Sequence, residues 1–123
     1  MNTKDNRGQQ VQEIMDKTQE LLNMIIHSDV YIRYQKELEE LKASDDIYER
    51  MNEYRKKNLA LQLWEGSEDS YEKMQELYAE YKDILSDPLV SRFMMTEQSI
   101  CKIMRKVQNQ VFDGLQLDIS YME

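Results

Sequence analysis

Residues able to make or break bonds are few in this chain and far apart. One histidine, His27, and one cysteine, Cys101, cannot assemble a nucleophilic triad, a multi-ligand metal site or a disulfide. His27 stands beside Ser28 at a helix boundary, where an imidazole meets the last carbonyls of the preceding helix. Cys101 follows the apolar Ile100, which predicts a buried, inert thiol. Carboxylates are plentiful, with 24 Asp and Glu. A helical di-iron centre, however, needs two Glu-x-x-His pairs, and the residue three before His27 is Met24. Nothing selects a carboxylate pair for glycoside chemistry either. The residues therefore predict no catalytic, cofactor-binding or metal-ligating set, and a non-enzymatic protein that works through its surfaces.

A length of 123 residues fits one domain, with 1–8 and 115–123 as candidate tails. A 33% charged fraction beside 41% hydrophobic residues describes a polar chain that still has enough core formers to fold. The net charge of -8 disfavours direct duplex binding, because phosphate contacts demand a cationic face. Arg55-Lys56-Lys57 and Lys102/Arg105/Lys106 are local basic clusters that read best as solvated helix faces. No apolar run nears the roughly 20 residues that span a bilayer, and Met1 to Asp5 lack the apolar stretch of a signal peptide. No membrane insertion and a cytoplasmic location are expected.

Positioning elements follow from the scarcity of helix breakers. Between Gly8 and Gly114 the only glycine is Gly66 and the only proline is Pro88. An all-α fold of about five helices is predicted. Val11, Ile14, Met15, Thr18, Leu21, Leu22, Ile25 and Ile26 recur at helical spacing and place the first helix over about Gln9 to His27. Ser28 caps a second helix carrying Tyr31, Tyr34, Leu38 and Leu41 up to Ala43. The third, about Asp46 to Glu65, shows Ile47, Met51, Tyr54, Leu61 and Trp64, with Gly66 at its end. A short polar turn then leads into a fourth helix with Tyr71, Met74, Leu77, Tyr78, Tyr81, Ile84 and Leu85, forming a central antiparallel hairpin with the third. Asp87-Pro88 ends it and opens a fifth, since aspartate caps well and proline at the first position loses no needed N–H. Leu89, Phe93, Ile100, Met104, Val107 and Val111 mark its stripe, ending near Gly114. Leu117, Ile119, Tyr121 and Met122 suggest that the tail docks.

Apolar stripes on more than one side of long helices exceed what so short a chain can hide, which predicts a homodimer or larger assembly. Eight tyrosines and nine methionines suit half-buried contact surfaces. Adjacent Met94 and Met95 point about 100° apart, so one of them is free for an interface. Tyr71, Tyr78, Tyr81, Phe93 and Met94 are the candidate interface residues. From Ser67 to Asp87 there are seven acidic and two basic residues. Glu72, Glu76 and Glu80 accordingly form a candidate acidic face for steering a basic partner.

The segments Gln19-Glu20-Leu21-Leu22-Asn23-Met24-Ile25-Ile26-His27-Ser28, Tyr31 with Tyr34, Ser44-Asp45-Asp46, and Ile84-Leu85-Ser86-Asp87-Pro88-Leu89-Val90 resemble the YlbF/YmcA family of control-of-competence regulators. Phe93, Glu97, Ile100, Ile103, Met104 and Val107 continue the similarity, which spans about Thr18 to Val111. The resemblance implies an all-helical bacterial regulator that self-associates or joins related helical subunits. It also implies a role in competence, sporulation or biofilm control, through a complex that modulates RNA processing by a membrane-bound endoribonuclease. The cysteine-rich tail implicated in iron–sulfur binding in some members is not matched by Ser120-Tyr121-Met122-Glu123, so no cluster is carried over. A competing signal, Trp64-Glu65-Gly66, is similar to the W-x-G turn of the small secreted WXG100 hairpin proteins. Pro88 divides the arm that would follow it, and no Tyr-x-x-x-Asp/Glu export signal stands near the C-terminus.

Overall fold

The computed structural model describes residues 3–63 and 69–122. Its helices are α1 (Thr3–Ile26), α2 (Asp29–Lys42), α3 (Asp45–Leu63), α4 (Ser70–Glu80), α5 (Lys82–Leu85) and α6 (Pro88–Leu115), followed by a 3-10 turn at Ser120–Met122. There is no strand among the described residues, and the all-α bundle expected from the sequence is what forms. The Trp64 and Gly66 features lie outside the described residues.

Two of the helix starts are built from side chains that the sequence already displays. Ser28 Oγ accepts from the Tyr31 amide at 3.3 Å and so starts α2. His27 Nδ1 lies 2.7 Å from the Asn23 carbonyl, at the end of α1 where a histidine was expected to sit. Asp87 accepts from the Leu89 and Val90 amides at 3.0 and 3.2 Å, with Pro88 at the first helical position of α6.

Two boundaries differ from expectation, and a third, close to the expected Gly114, is formed by an unexpected residue. Helix α1 starts at Thr3, well before Gln9, because Gly8 keeps its backbone N–H and weakens a helix by only about 1 kcal/mol, where proline would break it. The fourth helix divides at Tyr81, whose backbone (φ -107, ψ 19) leaves helical geometry while its ring is held by α3. Helix α6 runs past Gly114 to Leu115, and the left-handed residue that ends it is Gln116 (φ 52).

The core gathers at one end of the molecule. Leu41 from α2, Met51 from α3, Leu77 from α4, Tyr81 between α4 and α5, Ile84 from α5, and Val90 and Phe93 from α6 are buried together. Helices α3 and α4–α5 run antiparallel, with Arg50 paired to Asp83 and Lys57 to Glu80. Helix α2 lies antiparallel on the first half of α6: Tyr34 stacks on Phe93 with ring centroids 5.1 Å apart, while Val30 shares a depression with Lys102 and Arg105. Helix α1 contributes nothing to this core.

Candidate functional site

The chain's own core uses only part of its apolar sequence, and the remainder forms the candidate site. At 100° per residue, Val11, Ile14, Met15, Thr18, Leu21, Leu22 and Ile25 occupy an arc of roughly 120° on α1. That arc is the width that seats a helix in a bundle. Yet every side chain from Asn6 to Met24 is exposed, and Ile14 and Val11 are 63% and 59% open to solvent. A depression along Ile14, Lys17, Thr18 and Leu21 is walled by α1 alone, so it is a surface groove and encloses no small molecule.

Helix α6 shows the same thing within one element. Its stripe begins buried at Val90 and Phe93, where α2 covers it, and continues along the same side through Ile100, Ile103 and Val107, which are half-buried. It then emerges at Met104, Val111 and Leu115, which are exposed. An α-helix rises 1.5 Å per residue, so the 14 residues of α2 cover about 21 Å of a 28-residue helix about 42 Å long. The far half of α6 stands uncovered for lack of helix.

The five candidate interface residues are sorted by their surroundings. Phe93 and Tyr81 are buried in this chain's own core, so they are corrected from contact residues to packing residues: helices α2 and α3 already cover them. Met94 is half-buried against that core, and Met95 is the exposed member of the pair. Tyr71 and Tyr78 remain exposed on α4, beside Tyr54, Asn58 and Met74 in a depression between α3 and α4. Burial raises the Tyr54 phenol above its usual range, with the nearby Tyr78 adding to the effect. Glu72 and Glu76 are exposed on α4, and Glu80 reaches Lys57 at 3.5 Å.

Two further expectations are corrected. Cys101 is exposed, because one residue on from the inward Ile100 the helix has turned by about 100°. The C-terminal tail does not dock on the chain: Leu117, Tyr121 and Met122 are more than half exposed. Of the basic clusters, Arg55 pairs with Glu97 and lies over the Phe93 ring, and Lys57 binds Tyr81. Lys102, Arg105 and Lys106 are exposed.

Sequence reading placed its candidates on α4 and the start of α6 and missed α1. The signal that could have found it is the pairing of a full bundle-width stripe with a flank rich in glutamine, at Gln10, Gln12 and Gln19, where a helix meant for water would carry charge. Among the described residues there is no group of three His, Cys, Asp or Glu placed to hold a metal ion, and no helix long and apolar enough to cross a membrane.

Neither a curated protein nor a solved structure gives a significant match to this chain. A family model described as control of competence regulator ComK, YlbF/YmcA, does match, and it leaves the WXG100 likeness without support. The matched stretch takes in the exposed stripe of α1 from Ile14 onward and all of α6. With residues 14–116 covered, the chain belongs to the YlbF/YmcA family of competence-control regulators.

Proposed function

We propose that this protein is a cytoplasmic, non-enzymatic regulatory adaptor that acts by helix-mediated association. It joins copies of itself or related helical subunits, and through them an RNA-processing endoribonuclease complex that serves competence, sporulation or biofilm development. The observation that supports the reading is the uncovered apolar face of α1 and the far half of α6, which lies within the segment that defines the family. A surface of that kind gains free energy only when another molecule removes it from water.

The test is affinity capture of the chain from its native cell at normal expression, with and without nuclease. Related helical subunits or an endoribonuclease should co-purify in both conditions. Ile14→Asp combined with Leu22→Asp should abolish that recovery while the core stays folded, because both residues are exposed. Recovery no greater than from an untagged strain would reject the adaptor reading. A purified chain with an activity that is lost on changing one carboxylate would replace it with an enzyme.

A further inference from the structure

We infer that the seam between α2 and α6 carries a binding site for a free guanine nucleotide. Glu37 receives the amino edge of the base at one end, and Arg33, Lys102 and Arg105 receive the phosphate at the other. The site shares no residue with the stripe of α1 and does not depend on the association reading.

Two depressions of about 380 and 500 Å³ open along one flank of the seam. Arg33 and Glu37, one turn apart on α2, and Arg92 and Thr96, one turn apart on α6, line the first. Arg33, Met95 and Thr96 border both depressions, which therefore join as one trough. Each has the size of a small-ligand cleft, roughly 300 Å³ or more.

One end of the trough lacks a donor. Glu37 is 7% exposed, and its Oε2 has no hydrogen-bond partner. Arg33, Lys36 and Arg92 line the same depression, yet the ion pairs among the described residues are all elsewhere, at Lys17–Glu20, Arg50–Asp83, Arg55–Glu97 and Lys57–Glu80. The buried hydroxyl alongside, on Thr96, is already committed, donating to the Arg92 carbonyl at 3.0 Å. Glu40, the other carboxylate of this depression, is exposed, so water satisfies it. A buried carboxylate kept without a donor costs stability. A ligand bearing N–H groups supplies what the chain withholds.

The other end is built for an anion. Arg33, Lys102 and Arg105 are exposed there, and no Asp or Glu lines that depression. Glu97, also on α6, is drawn instead to Arg55 on α3. In a chain of net charge -8, three cations with no carboxylate among them form a local positive seat, and guanidinium groups match phosphate oxygens two at a time.

Spacing joins the two ends. Thr96, which shares the first depression with Glu37, lies six residues before Lys102 on α6, about 9 Å along the helix, a span comparable to that from the amino edge of a base to its 5′-phosphate. Met95, 67% exposed and common to both depressions, offers apolar surface to the base between them. An ionised carboxylate accepts two bonds at once, and guanine alone among the common bases offers two parallel donors, N1–H and N2–H. A strand of RNA would instead call for aromatic side chains on which bases stack, and no aromatic residue lines the trough.

Isothermal titration calorimetry of the full chain with GMP, backed by the shift of its thermal melt, tests the site. GMP should bind with a Kd below about 100 µM, and IMP, which lacks the N2 amino group, at least about tenfold more weakly. Glu37→Gln should weaken GMP at least about tenfold and erase its advantage over IMP, because the amide keeps the shape and loses one acceptor. Lys102→Ala with Arg105→Ala, both at exposed positions, should weaken GMP and IMP alike by at least about tenfold. The surface pair and the IMP comparison decide the matter even if Glu37→Gln melts early. Neither heat nor a shifted melt at about 1 mM GMP overturns the inference. So does IMP or inorganic phosphate that binds as tightly as GMP, or a folded Glu37→Gln chain that binds GMP as wild type does. A single-stranded RNA of about ten nucleotides that binds more than about tenfold tighter than GMP replaces the free nucleotide with a strand and overturns it too.

Discussion

The Lys57 ammonium donates to the Tyr81 hydroxyl across 2.8 Å, and that hydroxyl in turn donates to Glu53 at 3.3 Å. The bond lifts the Lys57 ammonium above its usual range, with Glu80 assisting, and both Lys57 and Arg50 lie over the Tyr81 ring at 5.0 and 5.4 Å. Helix α3 therefore holds the one residue at which α4 and α5 part. Replacing Tyr81 with Phe keeps the ring but takes an acceptor from Lys57 and a donor from Glu53, at a cost of about 1 kcal/mol. Tyr81→Ala also empties a buried site and should cost about 3–5 kcal/mol. Urea unfolding of the two variants separates the hydroxyl from the ring.

Asp83, paired with Arg50, is held below the usual carboxylate range, chiefly by that hydrogen bond. A depressed carboxylate contributes stability that is present above its unfolded pKa and fades as pH falls through the folded value, below about pH 4. Asp83→Asn should therefore lower stability at pH 7 and flatten the acid limb of the stability profile, bringing it level with wild type at the most acid end. An unchanged acid limb in Asp83→Asn would remove this pair from the account.

Glu37 lies buried between α2 and α6 with one carboxylate oxygen, Oε2, lacking a hydrogen-bond partner. Desolvating a polar atom without satisfying it is unfavourable, and a flexible apolar side chain of similar length avoids the cost. Glu37→Met should raise stability by about 1 kcal/mol, read as a higher denaturant midpoint at an unchanged slope.

Phe93 and Tyr71 began as equal candidates and should now behave oppositely. Phe93→Ala removes a fully buried ring stacked on Tyr34 and should destabilise the fold by about 3–5 kcal/mol. Tyr71 is 72% exposed, so Tyr71→Ala should leave the melting transition within about 0.5 kcal/mol of wild type. If Tyr71 touches a partner, its loss will appear in the capture experiment alone.

Reversal of Glu72, Glu76 and Glu80 tests whether α4 steers a basic surface. Association should weaken more at low salt than at high salt, because exposed charges are screened beyond about 10 Å at 0.1 M. Equal weakening at both salt levels would reject steering.

What the sequence displays plainly is what local chemistry decides. Ser28 and Asp87 cap their helices through their own side chains, and the 3.6-residue spacing of Leu89 and Phe93 needs no neighbour to be recognised. What it conceals depends on distant partners. The break at Tyr81 has no glycine or proline to announce it, because α3 imposes it from outside. The stripes of α1 and α2 read alike, since periodicity states that a face avoids water without stating which molecule shelters it. Cys101 was misplaced for a simpler reason: adjacency to Ile100 in sequence is the opposite of adjacency on a helix.

Phe93 and Val111 sit five turns apart on one helix that no proline or glycine interrupts between them. Whatever clasps the distal tip thus holds a stiff lever whose other end is buried in the core, between Tyr34 of α2 and Arg55 of α3. Occupancy at the tip and integrity of the heart become a single thermodynamic quantity, so a loosened interior would be felt outside as weakened grip, and a firm grip would make the interior harder to melt.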